Sequence, residues 1–157
     1  MELDQHGYLN PATALLATES QVREMFCFND HRDRLWENYL EFNRKVLNLV
    51  KTNTTVWLDG SFISHKPFPR DIDVVYFLDL NQDTINRVES NSRLFLYLFD
   101  TAAKSDFQVE AYWVPIYPPQ HPDHQDTVTG RKYWKNLFSK SKETTLRKGF
   151  IQINYPF

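Results

Sequence analysis

A chain of 157 residues, 41% hydrophobic and 15% aromatic, has the apolar content of a folded protein rather than a disordered one, and its length fits one domain with a real core. The single cysteine, Cys27, excludes an internal disulfide and suits a reducing, cytoplasmic setting. No stretch approaches the length of a membrane span, and the polar MELDQHGYLN lacks signal-peptide character. The formal charge of −2 hides an asymmetry, because residues 1–127 carry 11 basic and 19 acidic side chains while residues 128–157 carry seven and one. Such a basic segment suits either an anionic partner or an ordinary solvated face.

Taken in order, residues 1–17 read as an extended lead-in punctuated by Gly7 and Pro11, followed by a short helix over residues 18–27 with Thr18 and Ser20 as candidate caps. Cys27 lies in the apolar run MFCF and reads as a small hydrophobe. The clearest helical period spans residues 30–51, where Leu35, Trp36, Tyr39, Leu40, Phe42, Val46, Leu47, Leu49 and Val50 fall mostly on one side; Asp30 is the expected N-cap. Residues 54–59 form an apolar strand. A loop over residues 62–70 follows, in which Pro67 and Pro69 remove two backbone donors and forbid a regular helix.

A second strand starts at Asp71-Ile72-Asp73 and continues through Val74, Val75, Tyr76 and Phe77, apolar on both faces as in the middle of a covered sheet. Residues 82–104 read as helix, broken near Asn91. In the third strand Phe107, Val109, Ala111 and Trp113 share one face, and Asp106, Gln108, Glu110 and Tyr112 the other. Residues 115–127 form a proline-rich loop whose His121-x-x-His124 only superficially resembles a zinc site. A short basic helix over residues 131–140 and an edge strand over residues 150–155 complete an α+β arrangement, a small mixed β-sheet with helices packed mainly on one face.

The chemistry concentrates between residues 54 and 76. Side chains two apart on a strand point the same way, so Asp71 and Asp73 face one spot with Cα atoms roughly 6.5–7 Å apart. Converging carboxylates repel unless a cation lies between them, and Mg²⁺ accepts such hard oxygen ligands together with substrate phosphates. Gly60-Ser61, at the end of the preceding strand, allows close backbone approach to an anion. Lys66 and Arg70 are the nearest cations in sequence, placed either to contact phosphates or to balance the aspartates. Gly60-Ser61 is also ordinary turn chemistry, Asp71 also suits a loop cap, and Asp73 also suits an ion pair with Arg70 or another cation.

A glycine-serine turn, nine residues, then DID, each half beside an apolar strand, resembles the polymerase-β-like nucleotidyltransferase superfamily. LDGSF, PRDIDVV, VEAYWVP, YWKNLF and RKGFIQI look like a small stand-alone bacterial and phage family of nucleotidyltransferase-like proteins. The resemblance implies that Gly60 and Ser61 hold a nucleoside triphosphate and that Asp71 and Asp73 hold Mg²⁺ or Mn²⁺. Glu110 takes the third carboxylate position, where the superfamily more often has aspartate. It implies transfer of a nucleoside monophosphate to a protein or RNA acceptor, with a toxin–antitoxin or phage-defence setting and a protein partner from the same operon. Two other readings stand beside it: a nucleotidyltransferase-like binding module without turnover, acting as antitoxin or scaffold, and a nucleic-acid-binding protein that uses the basic segment over residues 128–157.

Overall fold

The computed structural model describes residues 1–157. Helix α1 (Glu19–Phe26) opens on a capping box in which Thr18 and Gln21 each satisfy the other's backbone N–H. Helix α2 (Asp30–Val50) is capped by Asn29, whose side chain accepts from the Arg32 N–H, and not by Asp30 as the sequence suggested. The helical stretch after the second strand divides into α3 (Gln82–Ser90), α4 (Ser92–Leu98) and α5 (Thr101–Phe107). The break falls at Asn91, as expected, but the helical path runs through Phe107 and turns at Gln108 in the left-handed conformation (φ 53°). The third strand, β6 (Val109–Ile116), therefore begins at Val109; Asp106 is helical and exposed, accepting from the Tyr97 hydroxyl.

The proline-rich stretch is shorter than expected. Its first residues finish β6, and α6 (His124–Phe138) begins at His124, whose ring bonds the Tyr117 carbonyl while His121 stacks on the Tyr117 ring. The lead-in also has structure. A hairpin pairs β1 (Glu2–Leu3) with β2 (Leu9–Asn10), and β3 (Ala14–Leu16) joins the main sheet.

The main sheet has five strands in the order β3-β7-β4-β5-β6, where β4 is Thr54–Asp59, β5 is Ile72–Asp79 and β7 is Phe150–Tyr155. The β3–β7 and β5–β6 pairs are parallel, and β4 is antiparallel to both β5 and β7. The last strand thus lies inside the sheet and not at its edge, because β3 covers its outer side. One sheet face carries the main core: Val22, Phe26, Trp36, Tyr39, Phe42 and Val46 from α1 and α2 pack on Val56, Leu58, Val74, Tyr76 and Ile151. On the other face α6 covers a smaller cluster of Trp57, Val75, Phe77, Val114, Phe138 and Phe150. Helices therefore lie mainly on one face, in an α+β fold. No helix is long and apolar enough to cross a membrane.

Candidate functional site

Strand alternation assigns the acidic side chains to the thinly covered face. On β5, Asp73 precedes Val75 and Phe77 by even steps; on β4, Asp59 follows Trp57; on β6, Glu110 precedes Val114. Register then gathers them at one end of the sheet. Asp59 pairs with Asp73, and Asp73 with Glu110, so the C-terminal end of β4 meets the N-terminal ends of β5 and β6. With Asp71 just before β5, carboxylate oxygens of Asp71, Asp73 and Glu110 lie within 4.8 Å of one another. These are the three carboxylates expected to act together.

Gly60 follows Asp59 with φ 79°, and a Cβ there would collide with the Asp73 carboxylate, so both conformation and space require glycine. The turn continues into Ser61, whose carbonyl accepts from Ser64 Oγ at 2.6 Å and whose hydroxyl makes no hydrogen bond within the protein. A cleft of about 610 Å³ opens over these groups, lined among others by Gly60, Ser61, Lys66, Asp71, Asp73 and Glu110. Arg70 is not part of it. It lines a separate depression beside His31 and Asp33, at a bend of the loop before β5. Of the two cations singled out in the sequence, Lys66 reaches the cleft and Arg70 does not.

Three lysines more distant in sequence stand closer to the carboxylates. Lys104 of α5 donates to Glu110 Oε2 at 2.9 Å and lies 3.4 Å from Asp71 Oδ2, while the Tyr112 hydroxyl donates to Glu110 Oε1 at 2.8 Å. Lys148 is buried in an ion pair with Asp59. That contact follows from register: Leu58 faces Ile151, so residues just before β7 meet the end of β4. Lys142 lines the cleft without an ion pair of its own. No sequence period marks any of the three, and only the pairing of β7 with β4 brings Lys142 and Lys148 to the site.

Asp73 is left out of these pairs. Burial pushes its carboxyl up to about 6, with Asp71 and Glu110 acting in the same direction and Lys142 and Lys104 opposing. Burial likewise pushes the Asp59 carboxyl up, against the pull of Lys148. Lys104 and Tyr112 hold Glu110 below its ordinary value despite partial burial.

A carboxyl raised on folding binds its proton more tightly folded than unfolded. Its contribution is therefore favourable below the unfolded value of 3.8 and is lost as pH rises toward about 6. In metal-free buffer, urea stability should fall between pH 4 and 6, and Asp73→Asn should flatten that slope by about 1–3 kcal/mol. An Asp73→Asn profile parallel to wild type would show that Asp73 is not the strained carboxyl.

The donor set fits a hard divalent cation. Three carboxylates from two segments converge, one of them has no partner within the protein, and sulfur and imidazole ligands are absent from the cluster. Lys104 is the competing cation, and at 40% side-chain exposure its ammonium is free to move into solvent. Lys104→Met should strengthen Mn²⁺ binding in calorimetry by about tenfold, because a like charge beside the ion is removed. Weaker binding in that variant would mean that Lys104 instead holds the carboxylates in place.

Against known proteins, the chain matches a family of unknown function (DUF6932) over residues 1–154. No curated protein and no solved structure matches it.

Proposed function

Since the chain belongs to DUF6932, a family of unknown function, its role must be argued from its own site, and we propose that it is a metal-dependent nucleotidyltransferase. The observation that carries this reading is the convergence of Asp71, Asp73 and Glu110 within 4.8 Å beside the Gly60-Ser61 turn, in a cleft large enough for a nucleotide. Asp71, Asp73 and Glu110 would hold Mg²⁺ or Mn²⁺, which when bound neutralises phosphate charge and lowers the pKa of an attacking hydroxyl.

The residues of the chain supply position. The Gly60-Ser61 turn offers backbone and a free hydroxyl to the triphosphate, and the glycine lets phosphate oxygens approach the main chain. An acceptor hydroxyl oxygen bonds to the α-phosphorus, the bond to the β-phosphate oxygen breaks, and pyrophosphate leaves with that electron pair. The hydroxyl proton passes to solvent by way of a cluster carboxylate. The acceptor is a protein or RNA, as the resemblance noted above implies. A toxin–antitoxin or phage-defence setting in the cytoplasm, with a protein partner from the same operon, is consistent with the resemblance noted above.

A specific observation favours a second reading. The Lys104 ammonium already pairs with both Asp71 and Glu110, as it would in a binding module without turnover. Incubation of the full chain with each α-³²P nucleoside triphosphate, Mg²⁺ and a cell lysate separates the two. Transfer of label to protein or RNA, lost with EDTA, supports the enzyme; triphosphate binding without any labelled acceptor supports the binding module.

A further inference from the structure

We propose that the segment between α6 and β7, rather than the loop after the Gly60-Ser61 turn, is the polyphosphate-binding wall of the cleft, with Lys140 and Lys142 as the counter-charges for the phosphate tail. The identification of the tail as that of a nucleoside triphosphate rests on the nucleotidyltransferase reading; the anion site itself does not.

The lining of the cleft is mixed in charge, and the stretch after α6 brings one carboxylate, Glu143, along with its lysines. Asp71, Asp73 and Glu110 come from the strand ends, whereas Lys140, Ser141, Lys142 and Lys148 come from one short stretch after α6. That stretch is built, not loose. The Ser141 N–H donates to the Leu146 carbonyl at 2.8 Å, the Thr145 N–H to the Ser141 carbonyl at 3.1 Å, and the Lys148 N–H to the Ser139 carbonyl at 3.0 Å. Lys148 pins its base through the buried pair with Asp59, directly beside the Asp73 register position. From the other side, the β1–β2 hairpin fastens it, with Tyr8 Oη 2.9 Å from the buried Ser141 Oγ.

Held this way, Lys140 and Lys142 keep exposed ammonium groups on the cleft with no carboxylate partner. Both belong to the stretch whose base Lys148 fixes at the carboxylate end of the sheet. An anion that bridges a carboxylate-bound cation and a protein cation finds Lys140 and Lys142 in the same cleft. A chain of linked phosphates, several charges long, fits a wall with two adjacent unpaired lysines better than a single carboxylate or monophosphate does. Lys66 projects from a loop whose carbonyls are committed to the buried Arg32, and Arg70 lies outside the cleft.

The test uses inorganic tripolyphosphate and, separately, ATP, each titrated calorimetrically into the full chain with Mg²⁺. Three proteins are compared: wild type, Lys140→Ala with Lys142→Ala, and Lys66→Ala with Arg70→Ala. All four side chains are exposed, so folding should be unaffected, as circular dichroism would verify. The first double variant should lose at least about tenfold in affinity for both ligands, as expected for two charge-assisted contacts, and the second should stay within about twofold of wild type. Binding of both ligands with equal loss identifies the phosphate chain as the recognised part; loss for ATP alone overturns that and points to the nucleoside. Unchanged affinity in the first variant, loss confined to the second, or a wild type that binds neither ligand also overturns it. Tripolyphosphate binding through Lys140 and Lys142 without any nucleotide transfer would keep this inference and sink the enzymatic reading.

Discussion

Replacing Asp71 and Asp73 together by asparagine is expected to abolish nucleotide transfer and to weaken Mn²⁺ binding by at least about a hundredfold, while the protein stays folded. Two of the three converging carboxylates lose their charge, and the cluster falls from three negative ligands to one. Mg²⁺ and Mn²⁺ bind carboxylate oxygen far better than neutral amide oxygen, so Glu110 alone cannot hold either ion at micromolar concentration. The folded state should gain and not lose stability. Asp73 is mostly buried, and asparagine removes the cost of keeping its carboxylate ionised beside Asp71 and Glu110. Removing that mutual repulsion offsets the loss of the partly exposed ion pair between Asp71 and Lys104, of a kind worth about 0–1 kcal/mol. Calorimetric Mn²⁺ titration, urea unfolding and the labelled-transfer assay read the three effects separately. Retained Mn²⁺ affinity would remove the cluster as a metal site; a variant that unfolds would make the aspartates structural ion-pair members.

The same residues show how far one sequence reaches. The site face was legible because it depends on local alternation: Asp71 and Asp73 two apart, Glu110 in mid-strand, a glycine-serine turn closing an apolar strand. The strands β4 and β5 and the long helix α2 were legible for the same reason. What failed was non-local. Whether β7 is an edge or an interior strand depends on β3, a strand too short to carry a period. The meeting of Lys148 with Asp59, 89 positions apart in the chain, follows from the β4–β7 register, and no spacing within either segment encodes it. The start of β6 was misplaced because Asp106 and Phe107 continue the strand alternation in sequence while the backbone still completes α5. Nearness in sequence points Arg70 toward the site, but it sits at a bend before β5, where no period tells which way a side chain goes.

Arg32 carries the second large expectation, and its signal was present. The apolar stripe of α2 begins with an arginine, Arg32, three, four, seven and ten positions before Leu35, Trp36, Tyr39 and Phe42; all five share one face and are buried. An arginine in phase with the core is either mispositioned or bound to something. Here its guanidinium donates to the carbonyls of Phe26, Phe62 and Lys66, and to that of Ser64 at 3.0 Å, between the Phe28 and Phe62 rings. It has no carboxylate partner, and burial lowers its pKa to about 10, which still leaves it protonated at neutral pH.

The geometry makes Arg32 the clamp on the loop that follows the Gly60-Ser61 turn. That loop cannot use a regular helix or strand to satisfy its carbonyls, since Pro67 and Pro69 follow it, so a side chain from α2 supplies the donors. Arg32→Met keeps the stem but leaves four carbonyls, two of them on residues with no exposed surface, without that donor. Leaving the two fully buried carbonyls unpaired costs about 2–6 kcal/mol, at about 1–3 kcal/mol each, equivalent to a fall in melting temperature of about 4–24 °C for a chain of this size. Arg32→Lys should recover only a small part, because one ammonium cannot span the carbonyls that a planar fork reaches. Urea unfolding of the three proteins gives the size of the effect. Mn²⁺ and tripolyphosphate titrations, at a temperature where every variant is folded, then show whether loosening residues 62–66 also disturbs the turn at Gly60. A loss below about 1 kcal/mol in Arg32→Met would mean that solvent replaces the guanidinium and that the loop holds its shape without it.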